Sequence, residues 1–133
     1  MWQPSHRLRH WNSPAASPTE DAVAFLSDRQ GYRNLFVSRR GGRPKALFGN
    51  AAVELSGSPP DFSPDGRTLA VVVKDGPRNA IAIVDAKNGR IRRRLRYPFL
   101  DLSSPRFSPD GGAIAFTGFN GTTAEIYLAH LAT

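Results

Sequence analysis

The sequence contains no cysteine, so the chain has neither disulfides nor thiolate metal sites. No run of about 18 apolar residues is present, and we therefore expect no membrane-spanning helix. Residues 1–11 lack an apolar segment and do not form a secretory signal as they stand. No segment keeps a hydrophobic period of about 3.6 residues, and glycine and proline interrupt every stretch, so we expect no helix.

The length and composition are those of one globular domain. The chain has 133 residues, of which 40% are hydrophobic and 8 are phenylalanine, and this is enough for a buried core. The 18 Lys+Arg residues exceed the 11 Asp+Glu residues, which gives a net charge of +7. Such a charge permits an anionic partner, but it does not require one because the basic residues are spread along the chain.

A nine-residue motif recurs along the chain. Residues 62–70 read FSPDGRTLA, residues 107–115 read FSPDGGAIA, and a divergent copy at residues 16–24 reads ASPTEDAVA. Its serines, Ser17, Ser63 and Ser108, are spaced by 46 and 45 residues. A period of about 40–50 residues is typical of repeat proteins in which each repeat forms one small sheet.

The repeats divide the chain into four segments. We predict an N-terminal tail or edge strand at residues 1–13 and repeats at 14–58, 59–103 and 104–133, the last lacking its outer strand. A proline stands three residues before each motif serine, at Pro14, Pro60 and Pro105. From the short apolar runs between turn signals we expect strands at residues 22–26, 34–38, 45–48, 68–73, 79–85, 91–97, 113–117 and 125–129.

The motif contains the residues of a tight turn. Proline fixes φ, aspartate can accept hydrogen bonds from the backbone that follows, and glycine accepts a positive φ. We interpret these residues as structural, the alternative being a carboxylate site for a cation or a partner. They are Ser63, Pro64, Asp65, Gly66, Ser108, Pro109, Asp110 and Gly111.

An alanine stands at the centre of each strand that follows the motif, at Ala24, Ala70 and Ala115. Larger apolar residues flank it on both sides. Because successive strand residues face opposite sides of a sheet, we expect the alanines to face one neighbouring sheet and the larger residues the other.

The densest positive charge lies at residues 90–96. If this segment is a strand, Arg92, Arg94 and Arg96 share one face, where they could contact an anionic partner. Aromatic residues are sparse around them, which argues against a groove for single-stranded nucleic acid. We therefore interpret the arginines as the solvated face of an edge strand, and nucleic acid is not the predicted partner.

The sequence shows no arrangement of catalytic residues. His6, His10 and His130 lack metal-ligand spacing. Neither the Gly-x-Ser-x-Gly nucleophile elbow nor a phosphate-binding glycine loop is present. We predict no catalytic residue, no cofactor-binding residue and no metal ligand.

Residues 62–70 resemble the PD40 (WD40-like) repeats of the TolB-like β-propeller family, which also occur in the propellers of prolyl-oligopeptidase-like (S9) peptidases. Residues 25–37, FLSDRQGYRNLFV, resemble a second stretch of the family, FxSDRxGxxxLYV. The resemblance covers residues 14–133 as three repeats, and Thr19-Glu20 departs from it where the family has Asp-Gly. It implies an all-β fold of propeller blades and a bacterial protein. Such propellers close with six or more blades, and six blades of about 45 residues need about 270 residues. This chain has about half of that length.

The resemblance implies a non-catalytic scaffold in which loops at one face of the ring contact a protein partner. The alternative is the N-terminal part of a propeller that gates an S9-type serine peptidase whose catalytic domain lies outside this sequence. Three blades leave three alternatives: the chain is a fragment of a longer propeller, it pairs with a second copy to close one ring, or it stands as an open arc. If the ring closes, residues 2–9 could supply the outer strand that the third repeat lacks. The resemblance favours a periplasmic protein, whereas the absence of a signal sequence favours a cytoplasmic one. The sequence therefore does not determine the compartment.

Overall fold

The computed structural model describes residues 11–28, 30–49 and 53–131. All regular structure in this part of the chain is β, as predicted, and it contains no helix that could cross a membrane. The strands are β1 (Trp11–Ala16), β2 (Ala22–Ser27), β3 (Asn34–Arg39), β4 (Lys45–Ala46), β5 (Asp61–Phe62), β6 (Thr68–Asp75), β7 (Arg78–Asp85), β8 (Ile91–Leu95), β9 (Asp101–Phe107), β10 (Ala113–Phe119) and β11 (Ala124–His130).

The strands form three antiparallel sheets in which neighbours in sequence are neighbours in space. The first sheet has the order β1-β2-β3-β4, the second β5-β6-β7-β8 and the third β9-β10-β11. The third sheet therefore has three described strands where the others have four. Residues 2–9, which we considered for a fourth strand there, lie outside the described residues, and the repeat boundaries stay predictions.

The first strands of the second and third sheets were not predicted, and β1 only overlaps the tail or edge strand expected at residues 1–13. Proline and short length concealed these strands in the sequence. Pro14 lies within β1 and Pro105 within β9, and each lies where the pairing register shifts. Ser104, just before Pro105, has a positive φ of 53°. Proline is tolerated because these strands are at sheet edges, where an irregular backbone costs few ladder hydrogen bonds.

Other strands differ from prediction mainly in length. The β6–β7 hairpin is paired as far as Asp75 and Arg78, because Gly76 adopts a φ of 66° and closes a two-residue turn. By contrast, β4 has only two residues and β8 ends at Leu95 instead of Tyr97.

The sheets are stacked face to face over two apolar clusters. Ala24 lies in the cluster between the first and second sheets, together with Leu69 and Val71. Ala70 lies in the cluster between the second and third sheets, together with Ile114 and Phe116. Each alanine thus faces the following sheet and its larger neighbours face the preceding one, as the alternation predicts. The small side chain leaves room for the bulky face of the next sheet.

Candidate functional site

The turn between β5 and β6 is closed by its own side chains. Ser63 donates from Oγ to Asp65 Oδ1 over 2.6 Å, and the same carboxylate oxygen accepts from the Arg67 backbone N–H over 3.0 Å. Thr68 N–H donates to Ser63 Oγ over 3.1 Å. Gly66 completes the turn with a φ of 71°, a conformation that favours glycine. Serine, aspartate and glycine therefore each have a structural role here.

The turn between β9 and β10 repeats this geometry. Ser108 donates to Asp110 Oδ1 over 2.7 Å, which also accepts from Gly112 N–H over 2.8 Å. Ala113 N–H donates to Ser108 Oγ over 3.0 Å. The same motif thus folds the same way in two sheets.

The hydrogen bonds change the acidity of both carboxyls. The hydroxyl of Ser63, followed by the Arg67 backbone N–H, lowers the pKa of Asp65. The hydroxyl of Ser108, followed by the Gly112 N–H, lowers the pKa of Asp110. Each donor favours the charged form, so both turns present ionised carboxylates to solvent.

The divergent first turn keeps the backbone closure without an aspartate at the Asp65 position. Ser17 N–H donates to Ala22 O over 2.8 Å, as Ser63 N–H does to Thr68 O over 2.9 Å. Thr19 takes the place of the aspartate, and its N–H donates to Ser17 Oγ over 3.3 Å. The departure from the family motif therefore moves the carboxylate one residue along, to Glu20, while the turn remains closed.

The three turns lie side by side at one end of the sheets. A Cβ at Gly66 would collide with the Thr19 side chain, and one at Gly111 would lie 3.5 Å from Pro64 Cδ. Each turn thus packs against the turn of the preceding sheet. We name residues 17–21, 63–67 and 108–112 the turn surface.

A cavity of about 310 Å³ opens between the second and third turns. Both turns line it, and its apolar walls are Ile83, Phe107 and Leu131. Asp65 and Asp110 also line it. This part of the turn surface therefore combines a small apolar recess with the carboxylates of Asp65 and Asp110.

The arginines of β8 lie at the outer edge of the second sheet and are partly neutralised. Arg92 Nη2 donates to Asp85 Oδ2 over 2.6 Å, and this bond is the main reason that the pKa of Asp85 is lowered. Arg96, just beyond the strand, is 2.5 Å from Asp75 Oδ2. Arg94 is exposed and has no ion pair with a described residue.

The face-sharing that we predicted for the arginines assumed a regular strand. The register of β8 against β7 shifts between Ile83 and Val84, which interrupts the alternation next to Arg92. Contact of Arg92, Arg94 and Arg96 with an anionic partner stays a prediction.

A contact between repeats was missed by sequence reasoning. Asp61 Oδ2 accepts from Phe107 N–H over 2.8 Å, and Asp61 Oδ1 lies 3.4 Å from Arg106 Nη1. Asp61 and Arg106 precede the motif phenylalanine in successive repeats. Opposite charges at one repeat position were the available signal for this link between β5 and β9.

The described residues show no metal centre. Among residues 11–28, 30–49 and 53–131, no group of three or more His, Asp or Glu side chains could hold an ion. His130 is exposed on β11, while His6 and His10 lie outside the described residues.

Comparison with known proteins identifies relatives of the whole three-sheet unit. Residues 4–131 match the family described as "Lipoprotein LpqB beta-propeller domain". The Tol-Pal system protein TolB of Azoarcus sp. (strain BH72) is 37% identical over 82 residues, which are 60% of this chain and 18% of that protein. TolB of Francisella tularensis subsp. holarctica (strain OSU18) is 30% identical over 112 residues, 82% of this chain and 22% of that protein. The chain thus spans about a fifth of the length of these curated relatives.

Solved structures show the same fold at lower identity. TolB from Acinetobacter baumannii matches with a TM-score of 0.77 and 22% identity, covering 92% of this chain and 30% of that one. A putative TolB from Agrobacterium tumefaciens matches with a TM-score of 0.81 and 16% identity, covering 96% and 48%. An acylaminoacyl peptidase matches with a TM-score of 0.62 and 12% identity, covering 95% and 24%, and this likeness is one of fold alone.

Proposed function

Since the chain belongs to the LpqB β-propeller domain family, we propose that it is a non-catalytic scaffold that binds a protein partner through the turn surface. The proposal is carried by the side-by-side packing of the turns, which joins loops of three sheets into one continuous surface. Since a fold alone does not determine function, the argument rests on the chemistry of this surface.

The turn surface is suited to a basic partner side chain. In Asp65 and Asp110 the internal hydrogen bonds all use Oδ1, and Oδ2 makes no hydrogen bond to a described residue. The serine hydroxyls already fix both carboxylates, so binding orders few further groups and costs less conformational entropy. A partner arginine or lysine could pair with Oδ2 while its aliphatic stem enters the apolar recess.

The relatives support a protein as the partner. The curated matches are named as proteins of the Tol-Pal system, and that name describes a set of proteins that work together. A protein partner therefore accords with the family better than a small substrate, whose conversion would require residues that we do not find in the sequence.

Site-specific photo-crosslinking in the bacterial host would identify the partner. A crosslinking amino acid at Pro109 samples the turn surface, and one at Arg94 samples the outer edge of the second sheet. We expect a protein adduct from position 109 and none from position 94. Adducts from position 94 alone would contradict the proposal.

Binding of that purified partner then tests the chemistry. Charge reversal in Asp65→Lys/Asp110→Lys should weaken binding at least about tenfold, because it places like charges opposite a basic side chain. Arg94→Ala is the matched control and should bind as the unmodified chain does. Equal affinity of the double variant would show that the turn surface is not the binding site.

A further inference from the structure

The outward face of the third sheet is apolar and exposed. Ile126 and Leu128, on β11, are 80% and 57% exposed. They lie opposite Thr117 and Ala115 in the pairing of β10 with β11, and all four point away from the second sheet. Large aliphatic side chains exposed side by side on a sheet face are typical of a surface that another element covers.

The second sheet shows which kind of element covers such a face. Leu128 pairs with Ala115 as Ile83 pairs with Ala70, and Ile83 is only 9% exposed because the third sheet packs over it. In the same register, Ile126 corresponds to Ile81, which is 0% exposed. In the second sheet, the same two positions are covered by the bulky face of the following sheet.

At the opposite end of the stack, Val23 is exposed at a position that is covered in the other two sheets. Val23 of the first sheet corresponds to Leu69 and Ile114 in the motif repeats. Leu69 and Ile114 are both 0% exposed because a preceding sheet covers them, whereas Val23 is 36% exposed. Phe25 and Phe36 on the same face are stacked at 5.8 Å and already buried, so a partner would newly cover Val23 beside them.

We propose that the outward face of the third sheet, at Ile126 and Leu128, docks onto the first sheet of a second copy of this chain. The contact continues the packing that joins the first sheet to the second and the second to the third. A head-to-tail contact of this kind closes when the rotation it imposes completes a ring. The chain covers 48% of the chain of the putative TolB from Agrobacterium, so two copies would span about the length of that chain.

Light scattering behind a sizing column measures the assembly directly. We expect the full chain to approach twice its mass of 14.5 kDa as concentration rises. Because each copy carries a net charge of +7, screening of the repulsion between copies should strengthen the dimer as salt increases. A monomer at every concentration and salt level would overturn the proposal.

Variants locate the contact. Ile126→Glu/Leu128→Glu changes only exposed positions, so it should keep the melting temperature of the unmodified chain and yield monomers. Leu100→Glu is the matched control, since Leu100 is 55% exposed but lies outside the strands, and it should still dimerise. Dimers that persist in the double variant would overturn the proposal.

A mixing experiment establishes the head-to-tail direction. Val23→Glu should also be monomeric alone, but mixed with Ile126→Glu/Leu128→Glu it should form a heterodimer through the one intact pair of faces. If Val23→Glu dimerises alone, the contact does not involve the first sheet and the proposal fails.

Discussion

Asp61 and Arg106 occupy the same position in successive repeats, and their side chains meet across the gap between two sheets, with Oδ1 and Nη1 3.4 Å apart. The other carboxylate oxygen of Asp61 accepts the Phe107 N–H over 2.8 Å. The link therefore combines an ion pair with a hydrogen bond to the backbone, and mutation can separate these two contributions.

Asp61→Asn should cost less than about 1 kcal/mol, since it removes an ion pair whose arginine is exposed but keeps an acceptor for Phe107. Asp61→Ala should cost about 1–3 kcal/mol because the Phe107 N–H loses its partner. Urea unfolding followed by circular dichroism gives both values. Equal losses in the two variants would mean that the hydrogen bond to Phe107 contributes nothing.

Ser63→Ala should destabilise the chain more than Ser108→Ala. Ser63 is 6% exposed, and its hydroxyl bonds both Asp65 and the Thr68 N–H, whereas Ser108 is half-buried and water can replace its hydroxyl. We expect about 1–3 kcal/mol for Ser63→Ala and a smaller loss for Ser108→Ala, by the same denaturant titration. The reverse order would contradict the structural role of the buried hydroxyl.

Stability should fall in acid partly through the turn aspartates. The folded-state pKa values of Asp65 and Asp110 are lowered from 3.8, so their stabilisation is fully present above that pH and is lost as pH falls through the folded values. Asp65→Asn/Asp110→Asn should therefore be less stable at neutral pH and should lose less stability between about pH 4 and pH 2. Melting temperatures across this range test the sign, and parallel curves for the two proteins would refute it.

Gly89→Ala should be more destabilising than Gly76→Ala. Both glycines have a positive φ, 73° and 66°, and alanine in this region costs about 1–2 kcal/mol. At Gly89 the new Cβ would also collide with the Leu47 carbonyl of the first sheet, whereas the space around Gly76 is open. Thermal melts compare the variants directly, and equal losses would show that the contact of Gly89 with Leu47 can relax at no cost.

The sequence was most informative where one repeat determines its own structure. The turns at 63–66 and 108–111 and the strands β2, β6 and β10 were predictable, because proline, aspartate and glycine determine the turn and an apolar run follows it. The alanine positions also predicted how successive sheets face one another.

Contacts between repeats were not predictable in the same way. The strands β5 and β9 were missed, and β1 was predicted only in part, as a tail or edge strand. Proline or a length of two residues hides the period of these strands, and their pairing depends on the neighbouring strand. The ion pairs of Arg92 with Asp85 and of Arg96 with Asp75 join residues that no local sequence pattern pairs, and Arg92 lies at a register shift of β8.

The central claim is that the turn surface binds a protein partner. Hydrogen–deuterium exchange of the chain, with and without the purified partner that crosslinking identifies, would test it most directly. We predict that protection appears in peptides covering residues 63–67 and 108–112, because the turn surface is the binding site. Protection confined to β8, or to the loops at the opposite end at residues 30–33 and 120–123, would contradict the claim.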